Sequence, residues 1–168
     1  MTKTQTAILI VEDDISMSGF LVRSLQRRGY AAATARSAEE LLDKVLMEPF
    51  ELALIDINLP GMDGITLTRK MKAMACTCDI IIMTGDPNLE NAIGAIKAGA
   101  YDYLVKPFSD EMLHITVERC LQKRKLSADL TNTKAAKEEI LAAYSQLQAL
   151  EKMKDAFLSV IGHELKPL

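Results

Sequence analysis

No apolar run in this chain approaches the length needed to cross a bilayer. The amino-terminal run 7–11 holds five residues and ends in acids, against about 20 for a membrane span. A cytoplasmic protein with no direct membrane insertion is expected. Cysteine is scarce and odd in number. Cys76, Cys78 and Cys120 leave one thiol over in any pairing, and Cys-Thr-Cys lacks the spacing of a zinc half-site, so free, reduced thiols are expected. An excess of positive charge is missing too. The net charge of −3 gives no bulk attraction to nucleic acid, and no nucleic-acid module is found. A glycine-rich phosphate loop is absent, which argues against ATP-dependent kinase activity in this polypeptide. Finally, neither glycine nor proline occurs between Ser109 and Gly162, so nothing there breaks a helix.

What is present has ordinary globular proportions. With 168 residues, 49% hydrophobic and 26% charged, the chain can bury one domain and still carry an extension. Near-continuous apolar runs at 6–11, 30–34, 51–55, 79–83 and 101–105 predict five strands buried on both faces. They alternate with helical stretches at 15–28 (closed by Gly29), 38–47 (after Ser37 as N-cap), 65–74 and 89–98 (closed by Gly99). That alternation is the pattern of an α/β domain, a parallel sheet covered by helices.

Asp56 ends the run Phe50-Glu-Leu-Ala-Leu-Ile55 and is followed by the turn cluster Asn58-Leu-Pro-Gly-Met-Asp-Gly64. A carboxylate at the mouth of a buried strand is costly unless it is used. Glu12, Asp13 and Asp14 follow strand 1, Thr84 follows strand 4 and Lys106 follows strand 5. In an open parallel sheet those ends share one edge, where ligands bind. Phosphoryl chemistry explains the set: Asp56 as the attacking carboxylate, Mg2+ held by the acids Glu12, Asp13 and Asp56, Lys106 and Thr84 on phosphoryl oxygens. Taken singly, each residue also has a plainer reading as a helix cap, a turn residue or a solvated lysine. Asp14 either tunes the acid pocket or caps the first helix.

From about residue 7 to residue 122 the chain resembles the receiver domain of two-component response regulators. The resemblance rests on Val11-Glu-Asp-Asp14, Asp56 with Leu59-Pro-Gly-Met-Asp-Gly64, Met83-Thr-Gly85 and Gly99-Ala-Tyr-Asp-Tyr-Leu-Val-Lys-Pro-Phe108. It implies a flavodoxin-like, doubly wound five-stranded parallel sheet in the order 2-1-3-4-5. It further implies that Asp56 is the phosphoacceptor, with Glu12, Asp13 and the Asn58 backbone carbonyl completing a Mg2+ site. Thr84 and Tyr103 match the family's switch pair, and the Lys106–Pro107 bond would be cis. The plainer reading of Tyr103 is core packing. A histidine kinase or phosphotransfer protein would be the phosphodonor, the receiver catalysing its own phosphotransfer and dephosphorylation.

Beyond Ser109 the composition predicts one helix of some fifty residues. Ile140, Ala143, Leu147, Leu150, Lys154, Phe157 and Ile161 fall at alternating three- and four-residue steps, the seam of a coiled-coil homodimer, against the alternative of a single exposed helix. Residues 154–168, with His163 followed by Glu164, resemble the histidine-box helix of a sensor histidine kinase, which suggests a hybrid protein. Two departures stand out: Lys166 meets Pro167 directly, and the sequence stops at Leu168, before any nucleotide-binding domain would begin. The expected organisation is a receiver at 1–122, a coiled-coil signalling helix at 123–153 and an incomplete histidine-box helix at 154–168. Competing readings are an aspartyl-phosphate phosphatase and a constitutive dimerisation scaffold with a vestigial pocket. A haloacid-dehalogenase-type phosphatase would carry its acceptor after strand 1, whereas here it follows strand 3.

Overall fold

The computed structural model describes residues 6–47, 49–86 and 88–164. Five strands, β1 (Ala7–Val11), β2 (Ala31–Ala35), β3 (Leu52–Asp56), β4 (Asp79–Thr84) and β5 (Asp102–Val105), alternate with α1 (Ile15–Arg27), α2 (Ala38–Met47), α3 (Gly64–Ala73), α4 (Leu89–Lys97) and α5 (Asp110–Glu164). The strands are all parallel, in the order β2-β1-β3-β4-β5. The expected architecture is therefore observed, with element ends displaced by a residue or so. Contacts divide the chain into two compact units, Met1–Arg124 and Lys125–Leu168.

Alternation along the strands sorts the core into two layers. Leu9, Val11, Ala53, Ile55, Ile80 and Ile82 face α2, α3 and α4, where Leu41, Leu67, Met71 and Ala95 meet them. Ile8, Ile10, Leu52, Leu54, Ile81 and Met83 face the other way, onto Leu21 and Leu25 of α1 and Leu113, Val117 and Cys120 of α5. The central strands β1, β3 and β4 carry near-continuous apolar runs because both faces are covered, with Asp56, Asp79 and Thr84 only at strand ends.

Local chemistry fixes the helix ends. Asp14 accepts from the Met17 amide at 2.8 Å and caps α1, so the capping role open in the sequence is the one its side chain fills. Ser37 receives the Glu40 amide at 3.2 Å and Asp63 the Thr66 amide at 2.9 Å. Gly29, at a φ of 84°, takes the left-handed conformation that lets the chain turn from α1 into β2.

Cys76, Cys78 and Cys120 are free thiols. Burial pushes the Cys78 and Cys120 thiols up to about 12, leaving them protonated and unreactive. No helix among the described residues is long and apolar enough to cross a membrane.

Candidate functional site

The register aligns the carboxyl ends of four strands. Val11 pairs with Ile55, Asp56 with Met83, and Thr84 with Val105, so Glu12, Asp56, Thr84 and Lys106 reach the same edge. Main-chain bonds extend the ladders just past it: Glu12 N–H donates to Ala35 at 3.1 Å, Ile57 to Met83 at 2.8 Å and Lys106 to Thr84 at 2.7 Å. The Lys106–Pro107 peptide is cis.

At this edge Glu12 and Asp56 are buried, at 2% and 6% exposure, while Asp13 is exposed. Each of the three offers a carboxylate oxygen, all within 4.8 Å of one another. The Lys106 ammonium bridges two of them, 2.6 Å from Glu12 Oε2 and 3.1 Å from Asp56 Oδ1. The Asp14 amide adds a bond to Glu12 Oε1 at 3.2 Å.

These charges shift one another. Burial pushes the Glu12 carboxyl above its usual range, and the Asp56 charge adds to that, while the Lys106 hydrogen bond opposes it. Burial works against the Lys106 cation, but its hydrogen bond to Glu12 and the Asp56 charge outweigh that and raise its pKa. Three carboxylates facing one ammonium leave a surplus of two negative charges. The donors are hard oxygens, so the set fits a small hard dication such as Mg2+.

The remaining candidates are engaged differently. Thr84 is buried, at 2% exposure, but its hydroxyl turns to its own loop: it donates to the Asp86 carbonyl at 3.0 Å and accepts from the Asp86 amide at 3.1 Å. Tyr103 is 39% exposed, so core packing does not account for it. Asn58 is exposed beside the site. His163 and Glu164 close α5 with side chains outside the described ones, and Lys166 and Pro167 lie outside the described residues.

Two features escape sequence reasoning. Gly64, the first residue of α3, donates to the Ile57 carbonyl at 2.9 Å. A methyl group there would fall on the Asp56 carbonyl oxygen and stand 3.0 Å from the Asp56 carbonyl carbon. Its place after a capping aspartate was the available signal. The second is a polar cluster in which the buried Ser24 of α1 donates to the part-exposed Asp110 and lies 3.2 Å from Nε2 of the buried His114. His114 sits four residues after Asp110, a spacing that puts both on one helix face.

Comparison with known proteins bears on this geometry. The family model for the response regulator receiver domain matches residues 8–118. The transcriptional regulatory protein ZraR of Salmonella typhimurium is 35% identical over 151 residues, covering 89% of this chain and 34% of that protein. This chain thus spans about a third of that relative. FixJ of Bradyrhizobium diazoefficiens, another transcriptional regulatory protein, is 31% identical over 149 residues, 89% of this chain and 71% of that one. A response regulator receiver domain protein (CheY-like) from Methanospirillum hungatei superposes with a TM-score of 0.71 at 33% identity, covering 74% of this chain and 99% of its own. With a sheet of the same kind and a family match across its strands, the chain belongs to the response regulator receiver domain family.

Proposed function

We propose that Asp56 accepts a phosphoryl group from a phosphohistidine donor. One Asp56 carboxylate oxygen attacks phosphorus, and the bond from phosphorus to the donor's imidazole nitrogen breaks. With the donor's other ring nitrogen already protonated, the P–N electron pair leaves on a neutral imidazole, and the products are that imidazole and an acyl phosphate on Asp56. Glu12, Asp13, Asp56 and the Asn58 carbonyl would hold Mg2+, which supplies the positive charge a carboxylate needs to approach a phosphate dianion. Lys106 then binds a phosphoryl oxygen as a point charge, Thr84 gives another oxygen its hydroxyl, and Tyr103 turns inward with it. The observation that carries this reading is one ammonium between two buried carboxylates, 2.6 Å and 3.1 Å away, with a third carboxylate beside them.

Incubation with acetyl phosphate and Mg2+ should add a single phosphoryl group by mass. Asp56→Asn should abolish it. Labelling on another carboxylate, or labelling indifferent to a chelator, would overturn the assignment.

The donor is a histidine kinase or a phosphotransfer protein, met in the cytoplasm. Output passes through the carboxy-terminal helix, which pairs with that of a second copy and leads toward a histidine-kinase core with His163 as its phosphorylatable histidine. A second reading has its own support. The relatives aligned over 149 and 151 residues, well past residue 118, are named transcriptional regulatory proteins, so the helix would instead lead to a transcriptional output. Phosphotransfer to His163 by a kinase core separates the two.

A further inference from the structure

Between residues 126 and 161 the second unit presents twelve large apolar side chains to solvent among the described residues, including Ile140 at 68%, Leu147 at 55%, Leu150 at 63%, Met153 at 68%, Phe157 at 65% and Val160 at 61% exposure. Eight of them stand on or beside the seam, and at roughly 60–120 Å² of burial each they offer about 500–1,000 Å² per copy, comparable with the about 800 Å² per partner of a standard interface. An identical helix satisfies these three- and four-residue steps as occupant, because two parallel copies in register present the same seam to each other.

The steps do not keep one phase. Ile140, Ala143, Leu147 and Leu150 advance by three, four and three residues. A four-residue step then lands on Lys154 and continues to Phe157 and Ile161. A second three-residue step lands instead on Met153 and continues to Phe157 and Val160. The two faces share Leu150 and Phe157, and at 100° per residue their centres lie about 50° apart.

Each face carries one penalty. The first keeps phase with Ile140 and Leu147 but places the Lys154 ammonium in the seam, where a polar residue lowers stability. The second is apolar throughout but takes two three-residue steps in succession, the discontinuity that overwinds a coiled coil.

We infer that the carboxy-terminal helix pairs in parallel with a second copy through two interchangeable faces, one carrying Lys154 and Ile161, the other Met153 and Val160. Rotation by about 50° exchanges them. The inference rests on the paired-helix part of the function proposed above and adds a two-position element to it.

Oxidative cross-linking of the full chain with Cys76→Ser tests it. Met153→Cys and Ile161→Cys, introduced singly so that Lys154 is kept, should both give disulfide-linked dimers, within about threefold of each other, since a seam position faces its own copy. Asp155→Cys, on the outer side of both faces, should give at least about tenfold less. Adding Lys154→Leu removes the penalty of the first face and should lower cross-linking at Met153→Cys at least about fivefold.

Cross-linking at only one of the two positions would mean a single fixed face and overturn the inference. So would Met153→Cys cross-linking that ignores Lys154→Leu, or a dimer that links at neither position. A monomer in sedimentation would remove the pairing itself, and acetyl phosphate labelling of Asp56 in the same sample would show whether the receiver chemistry stands without it.

Discussion

Adding one methyl group at Gly64 tests whether the close approach of β3 and α3 sets the position of Asp56. That methyl would meet three main-chain atoms: the Asp56 carbonyl oxygen, its carbon at 3.0 Å and the Ile57 Cα at 3.0 Å. No side-chain rotation relieves such a contact. Carbon atoms rest at about 3.5–4.0 Å, so in Gly64→Ala the end of β3 and the start of α3 must part by something approaching 1 Å. Overpacking of this kind costs about 1–3 kcal/mol, and the upper half applies because backbone must move. The larger effect is on chemistry. A displacement near 1 Å at a reacting group costs about 100-fold in rate, and the displaced residue carries the proposed nucleophile. Urea unfolding and the rate of acetyl phosphate labelling with saturating Mg2+ measure the two effects separately. A variant that labels within about threefold of the parent and unfolds within about 0.5 kcal/mol of it would refute the reasoning, since most of both expected losses would be missing.

Lys106→Met leaves Glu12 and Asp56 buried side by side without their shared cation. Breaking that pair should cost about 3 kcal/mol in metal-free urea unfolding, with part restored by Mg2+; an unchanged midpoint would refute it. Because the Glu12 pKa is raised above 4.5, the folded, metal-free chain binds that proton more tightly than the unfolded one. Its contribution to stability therefore falls as pH rises from the ordinary carboxylate range through the folded pKa. Mg2+ needs the ionised form, so stabilisation by Mg2+ in thermal melts should fade as pH falls through the same window. His114 behaves oppositely. Burial, then the Arg28 charge, lowers its pKa below 6.5 against the pull of Asp110 and Glu118. Its contribution is fully present above 6.5 and is lost as pH falls toward the folded pKa. His114→Gln should flatten that limb of the stability profile, and an equal slope in variant and parent would refute the assignment.

The sheet is legible in the sequence because a parallel strand buried on both faces is near-continuously apolar, and five such runs with glycine or polar punctuation admit few other folds. Convergence of Glu12, Asp56, Thr84 and Lys106 is legible for the same reason: strand ends are set by where apolar runs stop, and parallel pairing brings those stops to one edge. The carboxy-terminal helix is legible from the absence of glycine and proline between Ser109 and Gly162. Contacts between atoms far apart along the chain are not. Gly64 meets Asp56 only because α3 enters tightly against the end of β3, and periodicity carries no trace of that distance. His114 lies beside Leu113 on the face that Val117 and Cys120 also bury, yet its bond to Ser24 depends on how α1 crosses α5.

The Thr84 side chain shows most clearly what a sequence leaves open. Its position at the end of β4 follows from the apolar run before it, but its direction is set by the Asp86 carbonyl and amide, at 3.0 Å and 3.1 Å, and Asp86 is in turn held by Asn88 at 2.7 Å. Turning that hydroxyl out of its loop toward a phosphoryl oxygen gives up both hydrogen bonds, the one it donates and the one it accepts. Each is worth about 1 kcal/mol net, while a charge-assisted bond to a phosphoryl oxygen is roughly twice as strong. The exchange is therefore close to balanced. In the proposed reading, that balance holds the loop in its present arrangement while Asp56 is free and lets a single added phosphoryl group tip it.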